Sequence, residues 1–182
     1  YVYSQSFQLT VIPLACSLVA VTWQLGLLPL LGFGIDPMSI LVPFLVFAIG
    51  VSHGVQMVSA HGSEVFSGAD SETAARASFR RLLLPGSIAL ITDTIGFVTI
   101  LFIQIRMIQE MAITASLGVG VIIFTNLALV PVLLSYVKHD EIYELKLKRR
   151  HRHMEPLWRS VSRLARPRPA GIIVAVALVL LV

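Results

Sequence analysis

The sequence predicts an all-α, polytopic helical membrane protein, and three observations carry that prediction. Of 182 residues, 56% are hydrophobic and only 13% are charged, about half the ~25% usual in a soluble domain. Four apolar stretches, at about 9–31, 38–60, 82–103 and 111–137, each meet the ~20 residues an α-helix needs to cross a ~30 Å hydrocarbon core. The basic residues collect in alternate connections instead of spreading evenly. A transmembrane barrel would show ~10-residue alternating segments, and none is legible. The single cysteine, Cys16, sits inside the first stretch, which excludes a disulfide framework and a cysteine-held metal or cluster.

The first stretch runs into a short connection, Gly32 to Pro37, that carries no basic residue. The second holds Gly50-Val51-Ser52-His53-Gly54-Val55-Gln56. There Gly50 and Gly54 form a small-xxx-small pair suited to close helix approach, while Ser52, His53 and Gln56 bring polar groups into the span. In the connection 61–81, Asp70, Ser71 and Glu72 precede Arg76, Arg80 and Arg81. Acids in front and bases behind suit the dipole of a short interfacial helix, with Glu72 and Arg76 as an i,i+4 pair. Arg80 and Arg81 then snorkel to the headgroups as the chain re-enters at Leu82.

The third stretch contains Gly96, a small residue suited to helix packing, and Asp93, the only formally charged residue inside any complete stretch. Between Gln104 and Glu110 stands Arg106, which Glu110 balances at the far interface. In the fourth stretch Ala112, Ser116 and Gly120 recur at fours as a packing seam, and Asn126 is expected to make an interhelical hydrogen bond. Residues 1–137 thus form a transmembrane bundle, 138–169 a basic loop, and 170–182 the start of a further span. Within the loop, Pro156 opens a helix with Leu157, Trp158, Val161 and Leu164 on one side and Arg159, Arg163 and Arg166 on the other. That pattern is an interfacial amphipathic helix, or alternatively a solvated basic linker.

The 14 Lys and Arg fall across the four connections as 0, 3, 1 and 10. Positive charge marks the cytoplasmic side, so loops 61–81 and 138–169 are inside. The formal charge of +4 is therefore an orientation signal. It does not indicate nucleic acid, because no base-reading module accompanies it. His139, His151 and His153 belong to the basic run rather than to a metal site. The chain opens without Met or a signal pattern and stops mid-helix at Val182, as expected of an internal fragment of a longer membrane protein.

A carboxylate at a helix centre costs at least ~2.5 kcal/mol on insertion scales and normally faces a bundle interior or wet cavity, where it is functional. The alternative for Asp93 is a structural role, held by Thr92, Thr94 or a neighbouring helix. Histidine titrates nearest neutrality of all side chains, which makes His53 a proton carrier or else a hydrogen-bonded packing residue. His53 lies about fifteen residues in from the outside and Asp93 about eleven in from the inside, so their depths differ by roughly one turn at ~1.5 Å per residue. A relay through side chains or one water follows. Catalysis is not supported: Ser52 and His53 point about 100° apart on a helix, and no HExxH motif or second intramembrane Asp is present. No cofactor or metal is implied.

The order of Ile12-Pro13-Leu14, the Gly26 to Gly32 turn, Ala48-Ile49-Gly50-Val51, Glu72-Thr73-Ala74-Ala75, Thr92-Asp93-Thr94-Ile95-Gly96-Phe97 and Leu129-Val130-Pro131 resembles the resistance–nodulation–division (RND) superfamily. The nearest likeness is to its MMPL-like predicted exporters of bacteria. The resemblance covers nearly the whole chain and implies a partial RND-type bundle: transmembrane helices 3 to 6 and the start of 7. It also implies a proton-driven transporter of hydrophobic or amphiphilic molecules in the bacterial inner membrane. The partners implied are the bilayer, the substrate, the remaining half of the transporter and, as an open alternative, further copies of the chain. The family usually places Asp, often followed by Tyr, after the Ile-Gly-Val stretch, where this chain has Ser52 and His53. Set against the resemblance, this departure suggests that the carboxylate has moved helix, with His53 and Asp93 coupling as the proton site and Ser52 assisting. A sterol-sensing-like lipid-binding module and a proton-independent lipid facilitator are the competing readings.

Overall fold

The computed structural model describes residues 6–34, 37, 39–137, 162 and 171. By contacts the chain divides into two units, Tyr1–Asp140 and Glu141–Val182. The basic run, the amphipathic segment from Pro156, the three histidines of that region and the final apolar stretch lie outside the described residues.

In the first unit the helices are α1 (Phe7–Leu30), α2 (Val42–Phe66, preceded by a 3-10 turn Ser39–Leu41), α3 (Ser71–Ile100) and α4 (Arg106–Ile122). A π-helical segment, Ile123–Leu129, carries α4 into α5 (Val130–Ser135). Four spans result, Phe7–Leu30, Ser39–Phe66, Ser71–Ile100 and Arg106–Ser135, all long and apolar enough to cross a membrane. No strand occurs among the described residues.

Glycine closes two of these helices. Gly32 (φ 78°) and Gly68 (φ 94°) take the left-handed conformation, and the chain folds back onto the last turn through Phe33 N–H to Leu28 O and Ala69 N–H to Glu64 O, the arrangement that satisfies terminal carbonyls. At the start of α3 the Asp70 carboxylate accepts from the Thr73 amide at 3.4 Å. The two expected i,i+4 pairs form, Arg76–Glu72 at 2.6 Å and Arg106–Glu110 at 2.9 Å.

The segment 61–81 differs from the expected loop. Helix α2 continues to Phe66 and α3 begins at Ser71, which leaves a four-residue turn. The cause is local: Asp70 caps α3 and the Glu72–Arg76 pair supports its first turns, so the helix extends beyond the apolar stretch. At 30 residues, α3 is about 45 Å long, some 15 Å more than the hydrocarbon core.

Helix α4 is central and α3 peripheral: over their most apolar windows 56% of the fourth span is buried and only 6% of the third. The core joins Ala20 of α1, Val42 and Val46 of α2, Leu90 of α3 and Ala115, Val119 and Ile122 of α4. Lipid tails provide no hydrophobic drive for helix association, so close approach through small residues has to supply the packing. A Cβ added to Gly118 would stand 2.4 Å from Val46 Cγ2 and 2.8 Å from Gln24 Nε2; at Gly54 it would stand 2.6 Å from Pro13 Cβ, and at Gly50 2.8 Å from Ser17 Oγ. Gly96 and Gly120 correct the sequence reading, because a Cβ at either meets nothing within 4 Å. Neither marks a close approach between described helices, and on α4 Gly118 takes that role.

Gly118→Ala should therefore destabilise the bundle by about 1–3 kcal/mol, the usual cost of overpacking, while Gly120→Ala leaves it unchanged; denaturant titration in micelles measures both. The Thr73 side-chain hydrogen bond, and the Thr73 backbone amide with it, hold the Asp70 carboxyl below its ordinary value. The cap is accordingly present above the unfolded carboxylate pKa and lost as pH falls through the lowered one. Hydrogen exchange should show the first turn of α3 fraying on acidification in the native chain, at all pH values in Asp70→Ala, and without pH dependence in Asp70→Asn.

Candidate functional site

Most hydroxyl groups in the spans are silenced by their own helix. Ser17, Thr22, Ser78, Thr92, Thr94 and Thr114 each donate to the carbonyl four residues back. Among the other polar groups of the spans are Gln24, Ser52, His53, Gln56, His61, Asp93, Ser116 and Asn126.

Three of them line the interior. Gln24, fully buried, ties α1 to α4 by donating Nε2–H to Thr114 O at 3.0 Å, and its Oε1 has no partner. Asn126 lies at the centre of the π-helical segment, facing Gly50 and Gly54. Pro131 helps explain the wide turn, since it lacks the N–H that an α-helix would direct at Leu127 O. The expected interhelical hydrogen bond of Asn126 is not formed: Nδ2 reaches only the adjacent Thr125 Oγ1 at 3.4 Å, and Oδ1 is buried without a partner. The glycines that admit Asn126 present no side-chain donor, which is the reason. Ser116 Oγ is likewise buried and unbonded.

Asp93 lies on the face of α3 shared with buried Leu90 and half-buried Phe97, at i+3 and i−4 from them, and is itself half-buried. It has no hydrogen bond among the described residues. Beside it an exposed stripe of small residues, Ala89, Thr92, Gly96 and Thr99, runs along α3. On α2, His53 is half-buried with Nδ1 3.0 Å from Ile49 O of its own helix. Ser52 and Gln56 are exposed, in line with Ala48.

His53 and Asp93 are not joined by a hydrogen bond. His53 stands 13 residues before the end of α2 and Asp93 22 residues after the start of α3. Along an antiparallel hairpin their levels differ by about nine residues, roughly 13 Å, which one water does not bridge. The shared core position of Val46 and Leu90, at nearly equal distances from the turn, agrees with this register. The one-turn separation expected from the apolar stretches fails because both helices run through the segment read as loop.

Two residues escaped the sequence reading. Gln24 is the one amide in the first stretch, a signal that hydropathy averages away. His61, the first residue of the polar segment 61–81, is fully buried with Nε2 3.3 Å from Ser71 O and sits in the last turns of α2. No group of three or more metal-ligating side chains occurs among the described residues.

The sequence profile of the MMPL family matches residues 2–172. No curated protein and no solved structure matches the chain.

Gln24→Leu should change stability by less than about 1 kcal/mol, since losing one amide hydrogen bond is offset by removing the orphaned Oε1. Thermal unfolding in micelles measures this, and a larger loss would show that Oε1 holds a water.

Proposed function

The chain belongs to the MMPL family, a family of membrane transporters, and from that premise we propose that it is the membrane-embedded part of a proton-driven transporter. Its cargo is hydrophobic or amphiphilic, lipid-like molecules, and its site is the bacterial inner membrane, with segments 61–81 and 138–169 on the cytoplasmic side. Asp93 carries this reading. It is a carboxylate within a span, on the core-facing side of α3, and among the described residues nothing donates to it. Such a group is costly to keep charged in hydrocarbon, so taking up and releasing a proton changes its free energy strongly, as energy coupling requires.

His53 and Ser52 form a second station on α2. They communicate with Asp93 through a wetted path and not by contact, given the ~13 Å difference in level. The exposed small and polar face of α2, Ala48, Ser52 and Gln56, together with the Ala89–Thr99 stripe of α3, suits packing against helices of a second transporter half or another copy. Lipid alone would leave Ser52 and Gln56 without partners.

In proteoliposomes of the full-length protein, Asp93→Asn should abolish proton-coupled substrate flux with the melting temperature unchanged, and His53→Ala should reduce it. Normal transport by both variants would sink the reading. Substrate binding without flux would instead favour a sterol-sensing-like module, and flux indifferent to the gradient a facilitator.

A further inference from the structure

An open groove of about 710 Å³ lies between the first turns of α3 and the end of α5. Its polar rim, Glu72, Arg76 and Tyr136, lies toward the start of α3 and the end of α5, and the apolar Phe79, Ala128 and Val132 line the part farther from those ends. Ser71 Oγ donates to Leu134 O at 3.2 Å and to Val137 O, pinning the two helices together beside the rim, so the groove is built into the fold. The rim lies level with the turn between α2 and α3, at the end of the spans. Phe79 stands eight residues beyond Ser71, about 12 Å deeper. With segment 61–81 outside the hydrocarbon, as proposed above, the groove runs through the headgroup zone and reaches the hydrocarbon edge near Phe79.

We propose that this groove binds one zwitterionic aminophospholipid, its phosphate on Arg76, its primary ammonium on Glu72, and an acyl chain along Phe79, Ala128 and Val132. Charge selects the occupant. Arg76 and Glu72 are already paired at 2.6 Å and both remain mostly exposed, so the rim offers one charge of each sign a few ångströms apart. An anionic headgroup satisfies Arg76 and is repelled by Glu72. A choline headgroup matches both charges but has no N–H, whereas a primary ammonium gives the carboxylate three donors. The exposed Tyr136 ring and hydroxyl border the same headgroup position, as aromatic residues do at membrane interfaces. The site requires only that the chain spans a bilayer. It does not depend on proton coupling, so loss of transport in Asp93→Asn would leave it intact.

The full-length protein, reconstituted in nanodiscs of equal parts phosphatidylethanolamine, phosphatidylcholine and phosphatidylglycerol and then released for native mass spectrometry, tests the proposal. Retained phosphatidylethanolamine should exceed each of the others by about tenfold, the worth of one charge-assisted hydrogen bond. Arg76→Gln should remove that preference, Glu72→Gln should shift it to phosphatidylglycerol, and Ala128→Phe should empty the groove. Should Ala128→Phe fail to fold, the two exposed rim variants decide. A photo-reactive residue at Val132 should crosslink to lipid. Equal retention of the three lipids, retention insensitive to Arg76→Gln, or crosslinking of Val132 to another protein segment would each overturn it.

Discussion

Hydrocarbon supplies no hydrogen bonds, so every polar group of the spans has to be answered by the chain itself. The backbone does so by forming helices, and the hydroxyls do so by folding back on the carbonyl one turn earlier, as Ser17, Ser78, Thr92 and Thr94 do. Since neither device needs a neighbouring helix, association depends on packing. Packing in turn depends on small residues at the crossing points, where Gly50, Gly54 and Gly118 admit Ser17, Pro13, Val46 and Gln24 to contact distance. Setting the self-satisfied groups aside leaves Gln24, Ser116 and Asn126 each with a buried polar atom that has no partner, and Asp93 half-buried with no hydrogen bond among the described residues.

The fold was legible wherever hydropathy and charge speak directly. Four spans, their helical character, and the pairs Glu72–Arg76 and Arg106–Glu110 all follow from composition and i,i+4 spacing. Hydropathy reports where lipid contacts the chain, however, and not where a helix ends. The segment 61–81 is polar enough to read as a loop, yet Asp70 caps it and the ion pair supports it, so α3 runs 30 residues. Every depth inferred from the apolar stretches shifts accordingly, and His61 moves from a loop into a buried helical turn.

Register around a helix axis was the second illegible quantity. The fourth span offers two sets of small residues, Ala112-Ser116-Gly120 and Ala115-Gly118, and both satisfy the i,i+3 or i,i+4 spacing for a packing seam. Only the neighbours decide between them. Gln24 and Val46 lie against Gly118, while Gly120 faces open space. The candidate site suffered likewise: the link between His53 and Asp93 depended on axial positions that no single sequence contains.

The environment of Asp93 constrains what it can do more tightly than its mere presence. Among the described residues, the cations lie toward the helix ends: Arg76, Arg80 and Arg81 in the first turns of α3 and Arg106 at the start of α4. None is placed to neutralise a carboxylate 22 residues into α3. The neighbouring hydroxyls of Thr92 and Thr94 have already given their protons to backbone carbonyls. A charged Asp93 therefore needs water or a donor arriving along the exposed Thr92–Gly96–Thr99 stripe, and a protonated one still has an O–H to place. A structural aspartate would hold a fixed partner, and Asp93 has no hydrogen bond among the described residues, which is the observation that favours the proton-coupling role proposed above over a packing one.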